Sequence, residues 1–194
     1  MDLAEMRTIV RRDFKDGEIP QRFADDDLDR AIARAVIELS KYSPVQQKSV
    51  LATVAGSYDI SIASLAGRLS VDKAEFPLNE SPRKFVRFEI YQDVLTLKDA
   101  RGDGAGCAVY WTAVHTLDAG SSTIPRHLED LVALGATAYA ALVLSQYATD
   151  KANYGGENVD RDYLYWARGR MMDFQAGLNR LKNRVKLNQL YIEE

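Results

Sequence analysis

Nineteen consecutive residues, 131–149, carry no charged side chain. A stretch this long and this neutral belongs either in a lipid bilayer or in a protein interior. It holds six alanines, one glycine and the polar Thr137, Ser145, Gln146 and Thr149. Its larger aliphatic residues (Leu131, Val132, Leu134, Leu142, Val143 and Leu144) are too few for a helix that inserts readily, and its flanks show no strong basic bias. A helix apolar on nearly every side has to be buried on nearly every side. In a chain of 194 residues one domain has little material to enclose it, so neighbouring subunits are expected to cover part of it.

The second constraint follows closely. Leu164, Ala167, Met171, Phe174, Leu178, Leu181, Val185, Asn188 and Ile192 are spaced alternately three and four apart, a heptad seam with a polar residue at Asn188. A helix over roughly 157–190 would be about 50 Å long. Within the seam, Met171, Phe174, Leu178, Leu181 and Val185 are candidates for packing between subunits; packing on the preceding helix of the same chain stays open as the alternative. Asp160 and Asp162 suit the first turn of that helix, and basic residues crowd its later turns. Six of them, Arg168, Arg170, Arg180, Lys182, Arg184 and Lys186, stand against one acid, Asp173. They are candidate contacts for DNA or an acidic partner, or else a solvated helix face.

Two shorter helices open the chain. Leu3, Met6, Val10 and Phe14 line one face of the first. Asp25 can cap the second, whose stripe is Leu28, Ile32, Ala35, Val36, Leu39 and Tyr42 and whose stop is Ser43-Pro44. From about residue 45 the period becomes two: Tyr58, Ile60 and Ile62 alternate, as do Val86, Phe88 and Ile90, then Cys107, Val109, Trp111 and Ala113. The run 45–117 reads as an antiparallel β-domain of about five to seven short strands. Helix returns after Thr123, a cap candidate, and Pro125. The expected fold is α+β: an elongated bundle of about four helices, residues 1–44 and 123–194, with an inserted antiparallel β-domain, residues 45–122.

Chemistry finds few footholds. With 25 basic and 28 acidic residues the net charge is −3, against a dedicated nucleic-acid or membrane-surface protein. Cys107 is the only cysteine, which rules out an internal disulfide and a multi-cysteine zinc site. Met1-Asp2-Leu3-Ala4-Glu5 does not resemble a secretory signal, so a cytosolic setting is expected. Cys107, His115 and His127 show no ligand or nucleophile–base spacing, so no catalytic, metal or cofactor site and no enzyme activity are expected. Gly102 to Gly106 lacks the spacing of a phosphate loop and reads as a hairpin tip, with Arg101-Gly102-Asp103 an adhesion tripeptide by chance. Tyr154, Tyr163, Tyr165 and Trp166 beside Arg161, Arg168 and Arg170 suit a protein interface better than base stacking.

The order of these elements resembles a known family. Phe23-Ala24-Asp25-Asp26-Asp27-Leu28-Asp29-Arg30-Ala31-Ile32 continues to Glu38-Leu39-Ser40-Lys41-Tyr42-Ser43-Pro44. After the β-region, Ser122-Thr123-Ile124-Pro125-Arg126-His127-Leu128-Glu129-Asp130-Leu131 opens an alanine-rich helix ending in Tyr147-Ala148. Over roughly residues 3–150 this resembles the head–tail adaptor (connector) proteins of tailed bacteriophages, with a β-region larger than in the smallest members. The resemblance implies a virion protein of the phage neck, made in the host bacterial cytoplasm. It implies a homo-oligomeric ring of about twelve copies beneath the capsid portal. Its partners would be further copies of itself, the portal protein, a tail-completion, stopper or tail tube protein, and genomic double-stranded DNA passing through the lumen, with no membrane. By the same resemblance Leu187, Leu190, Tyr191 and Ile192 are the candidate portal-docking end. The alternative is a DNA-binding packaging or regulatory module using the basic C-terminal helix.

Overall fold

The structure is a computed structural model that describes residues 1–16, 23–150 and 159–190, with side chains over 1–16, 23–145 and 164–182. It is α+β, with four helices and two antiparallel sheets among the described residues. The chain divides into two units: Met1–Ser43 with His115–Glu194, and Pro44–Val114.

In the helical unit, α1 (Leu3–Asp13) starts with a reciprocal cap. The Asp2 carboxylate accepts from the Glu5 N–H at 2.8 Å, and the Glu5 carboxylate accepts from the Asp2 N–H at 3.0 Å. Helix α2 (Asp25–Tyr42) runs antiparallel to it, as the ion pairs Arg7–Asp29 and Arg11–Asp25 require. Ala24, not Asp25, occupies the cap position of α2, because the Asp25 carboxylate is held by Arg11 at 2.6 Å instead of turning to the helix backbone. Met6 and Val10 of α1 and Leu28, Ile32, Ala35 and Leu39 of α2 are fully buried together. The apolar stripes anticipated for both helices are the ones that fill this core.

A turn of 3-10 helix (Arg126–Leu128) leads into α3 (Glu129–Asp150), and α4 (Val159–Leu190) follows. Over 131–145 only Val143 of α3 is exposed. Helices α1, α2 and α4 of the same chain cover it, which corrects the expectation that one chain lacks the material to do so. Small residues make the cover possible. Ala133, Ala136, Ala138, Ala140 and Ala141 let neighbouring helices come close, and Phe174 lies where any side chain on Gly135 would sit. Tyr139 meets the Phe174 ring edge-on, with centroids 6.3 Å apart. By length and composition the window Arg126–Ser145 is apolar enough to cross a membrane, yet 56% of it is buried inside the protein, as in a core helix.

The second unit has seven strands: β1 (Val45–Ala52), β2 (Asp59–Ser61), β3 (Arg68–Glu75), β4 (Phe85–Val86), β5 (Phe88–Tyr91), β6 (Val94–Leu97) and β7 (Gly106–Ala113). One sheet has the order β1-β7-β3-β4 and the other β2-β6-β5. Cys107, Val109, Trp111 and Ala113 on β7 face Ile60, Ile62, Leu95 and Leu97 in one core. Tyr58 and Ile90 alternate as expected but remain exposed.

Three boundaries differ from expectation. Residues His115–Ser122 belong with the helices and not with the β-domain, and Pro44 belongs with the strands. The His115 N–H donates to the Ser40 hydroxyl at 2.9 Å, and its ring nitrogens lie 2.8 Å from the Ser43 carbonyl and 3.0 Å from that of Thr123. Thr123 does not cap the long helix, because its hydroxyl accepts from the Thr116 N–H at 2.8 Å. The glycine-rich run before β7 is no hairpin tip, since β6 and β7 belong to different sheets. It is a crossover pressed against the 53–57 turn, where a Cβ on Gly102 would stand 2.5 Å from the Val54 carbonyl oxygen.

Two glycines should therefore respond oppositely to the same change. Gly169→Ala, in open space on α4, is expected to raise stability by about 0.5–1 kcal/mol through helix propensity. Gly135→Ala would place a Cβ 2.7 Å from the buried Phe174 ring and is expected to lower it. Phe174→Leu added to Gly135→Ala should recover part of that loss, read by urea unfolding of all the variants.

Candidate functional site

The seam on α4 closes on its own chain over the described residues. Ala167, Phe174 and Leu178 are buried, and Met171 and Leu181 pack partly buried against the helical core. Met171, Phe174, Leu178 and Leu181 thus take part in an intramolecular contact, in which the Phe174 ring lies over Gly135 and Leu131 overlies Gly177. The Val185 side chain lies outside the described residues. Leu187 and Leu190 fall on the α4 backbone, while their side chains, together with Tyr191 and Ile192, are outside what the structure describes.

Of the basic run, Arg168, Arg180 and Lys182 are exposed and Arg170 is half-buried, its guanidinium 5.3 Å from the Trp166 ring. Arg184 and Lys186 have no described side chains. Trp166 is itself committed, edge-on to Phe14 with centroids 5.3 Å apart, so one of the aromatics near these arginines is packing and not free platform. Tyr165 is exposed. The side chains of Tyr154, Arg161 and Tyr163 are outside the described residues.

Cys107 and His115 lie in different units. Cys107 is fully buried, and desolvation, aided by the Glu75 charge, pushes its thiol up to about 11, far from a working nucleophile. His115 is the buried clamp described above, and His127 is exposed on the short 3-10 turn. No group of three or more His, Cys, Asp or Glu residues among the described residues is placed to hold a metal. The Arg101 side chain lies over the Tyr58 ring and donates to its hydroxyl at 2.7 Å, and Asp103 accepts from the Ala105 N–H at 2.7 Å.

The surface with the most concentrated polar chemistry was not among the residues singled out from the sequence. On the four-stranded sheet, Tyr110 of β7 pairs with Lys48 on one side and Lys73 on the other. Two residues along, Glu75 pairs with Phe85 on β4. All five project from the face opposite the core. The Tyr110 hydroxyl donates to Glu75 at 2.6 Å, the Lys48 ammonium lies 3.3 Å from the same carboxylate, and Arg83 lies 3.9 Å from its other oxygen. The Lys48 nitrogen stands 4.9 Å from the Tyr110 ring centre and the Lys73 nitrogen 5.5 Å from that of Phe85. Phe85 meets Tyr110 edge-on and is 51% exposed. Glu75 is 3% exposed, yet the Tyr110 hydrogen bond and then the Lys48 contact hold its carboxyl below the ordinary glutamate range despite desolvation.

Exposed apolar side chains also gather in this unit: Val50, Val54, Leu69, Phe85, Ile90 and Val94, and Tyr91 at 78%. Tyr91 and Val94 flank a two-residue turn in which Gln92 takes φ +52°, a strained left-handed conformation for a non-glycine residue. In the helical unit only Ile37, Val143, Tyr165 and Met172 are comparably exposed among the described residues.

Compared with known proteins, the chain matches no family model and no curated protein.

The Glu75 network gives the β-unit a pH signature. A carboxyl held low in the folded state contributes stability above its unfolded value and loses it as the pH falls through the folded value. Unfolding midpoints of the protein should therefore drop as pH falls below the ordinary glutamate value of about 4.3. Glu75→Gln should flatten that part of the profile, in thermal melts read across the acid range.

Proposed function

We propose that this chain is a structural protein of a phage neck, a head-to-tail adaptor. In this reading it is an elongated helical bundle with an inserted β-domain. About twelve copies form a ring below the capsid portal, extend the DNA channel and present a surface for tail attachment. The observation that carries the proposal is the chain order: two capped or acid-started helices, a strand-built unit, then the alanine-rich and the long basic helix. That order accompanies the residue strings that resemble the adaptor family. The number of exposed apolar side chains in the β-unit adds a second support, since such residues are available for contacts with other proteins. Because α3 is covered by its own chain, support for a ring comes from the β-unit and the outer side of α4, and no longer from an unshielded core helix.

Genomic DNA would pass a protein of net charge −3 without tight adhesion, because nonspecific affinity is set chiefly by phosphate contacts. The C-terminal end at Leu187, Leu190, Tyr191 and Ile192 is proposed for the portal contact. Exposed Arg168, Arg180 and Lys182 keep the DNA-binding module as the second reading.

Light scattering after size-exclusion decides between them. The adaptor reading expects a ring, alone or on addition of a purified phage portal protein. A monomer that ignores that portal contradicts it. A monomer that instead binds duplex DNA, losing affinity with salt and with Arg180→Ala and Lys182→Ala, establishes the second reading.

A further inference from the structure

We propose that the open edge of β1, together with the basic face beside it, takes up an extended acidic peptide of another protein as an added strand. Strand β1 ends its sheet: its eight residues pair in unbroken register with β7, and no strand among the described residues lies on its other side. Such an edge offers a row of main-chain donors and acceptors. The other edge of the sheet is irregular. There β4 is only two residues long, and β3 carries two register shifts, the irregularities that turn an edge away from pairing.

The chemistry of the guest follows from what the edge presents. On the outward face, Lys48 and Val50 stand two residues apart on β1, and Val50 is 60% exposed. Behind Lys48 lie Tyr110, Lys73 and Arg83. Two cations, Lys48 and Arg83, share one carboxylate, Glu75, with the Tyr110 hydroxyl. Lys73 has no ion pair among the described residues, only the Phe85 ring. Against Lys48, Lys73 and Arg83 stand Glu75 and Asp72, the latter accepting from the outward Ser70 hydroxyl at 2.9 Å, so this face keeps a small excess of positive charge on a chain that is net negative. A strand laid beside β1 puts every second side chain on this face. An acid there meets Lys48, and an apolar residue two places away meets Val50. Single-stranded nucleic acid fits less well, because stacking needs free ring faces and here the lysines already lie over Tyr110 and Phe85.

The probe is a fluorescein-labelled eight-residue peptide in which Glu and Val alternate on one face and Thr fills the other, titrated with the full chain and read by anisotropy. Saturable binding is expected, weakening by about tenfold with Lys48→Glu plus Lys73→Glu. Lys48→Gln alone, beside the guest strand, should weaken binding several-fold in a variant shown by thermal melts to be folded, whereas Lys73→Glu, two strands behind β1, should change it by less than about twofold. Methylating alternate backbone nitrogens of the probe should abolish binding for one set of positions and spare it for the other, because only one edge of the guest pairs. Absence of saturable binding, indifference to Lys48→Gln, or equal tolerance of both methylated probes overturns the proposal. Tighter binding of an oligo-dT strand than of the peptide overturns it in favour of nucleic acid.

Discussion

The helical unit is arranged around the uncharged stretch 131–145 of α3. Over these residues α3 has no charged side chain to turn outward, and it packs with α1, α2 and α4 around it. What lets α4 lie close is the absence of a side chain at Gly135, into whose space the Phe174 ring fits. The alanines on either side continue the same close approach. The rest of the unit is consistent with this centre: the ion pairs of Arg7 and Arg11 fix α1 on α2, and His115 ties the returning chain to the end of α2.

The β-unit is organised on the opposite principle. It has a small core behind β7 and leaves aromatic and aliphatic groups on its surface. On its outer sheet face Lys48, Arg83 and Tyr110 engage Glu75, and Lys73 lies over the Phe85 ring. On the adaptor reading, the β-unit, the outer side of α4 and the C-terminal end would share the contacts with partners.

Much of this was legible in the residues. The three-and-four spacing of Leu28 to Leu39 and of Ala167 to Leu178 marks the faces that are in fact buried, and the alternation of Cys107 to Ala113 marks the inner face of β7. Periodicity reports which face of an element is apolar, and it is silent on what covers that face. For that reason the α4 seam read equally as a contact within or between chains; the fit of Phe174 over Gly135 shows the contact within the chain. The Lys48–Tyr110–Glu75 cluster was not legible. It joins residues 27 and 35 positions apart through strand register, which local pattern does not encode. The place of the 102–106 glycines failed for a similar cause, since neighbouring strands in sequence went to different sheets.

The central claim is that one copy of this chain shields α3 without help. Hydrogen exchange on the isolated chain, at a concentration where light scattering reports a single copy, tests it directly. The account predicts that the amides of 131–145 exchange only with global unfolding and are the slowest in the helical unit. Rapid exchange there in the lone chain, slowed only once several copies assemble, would contradict it.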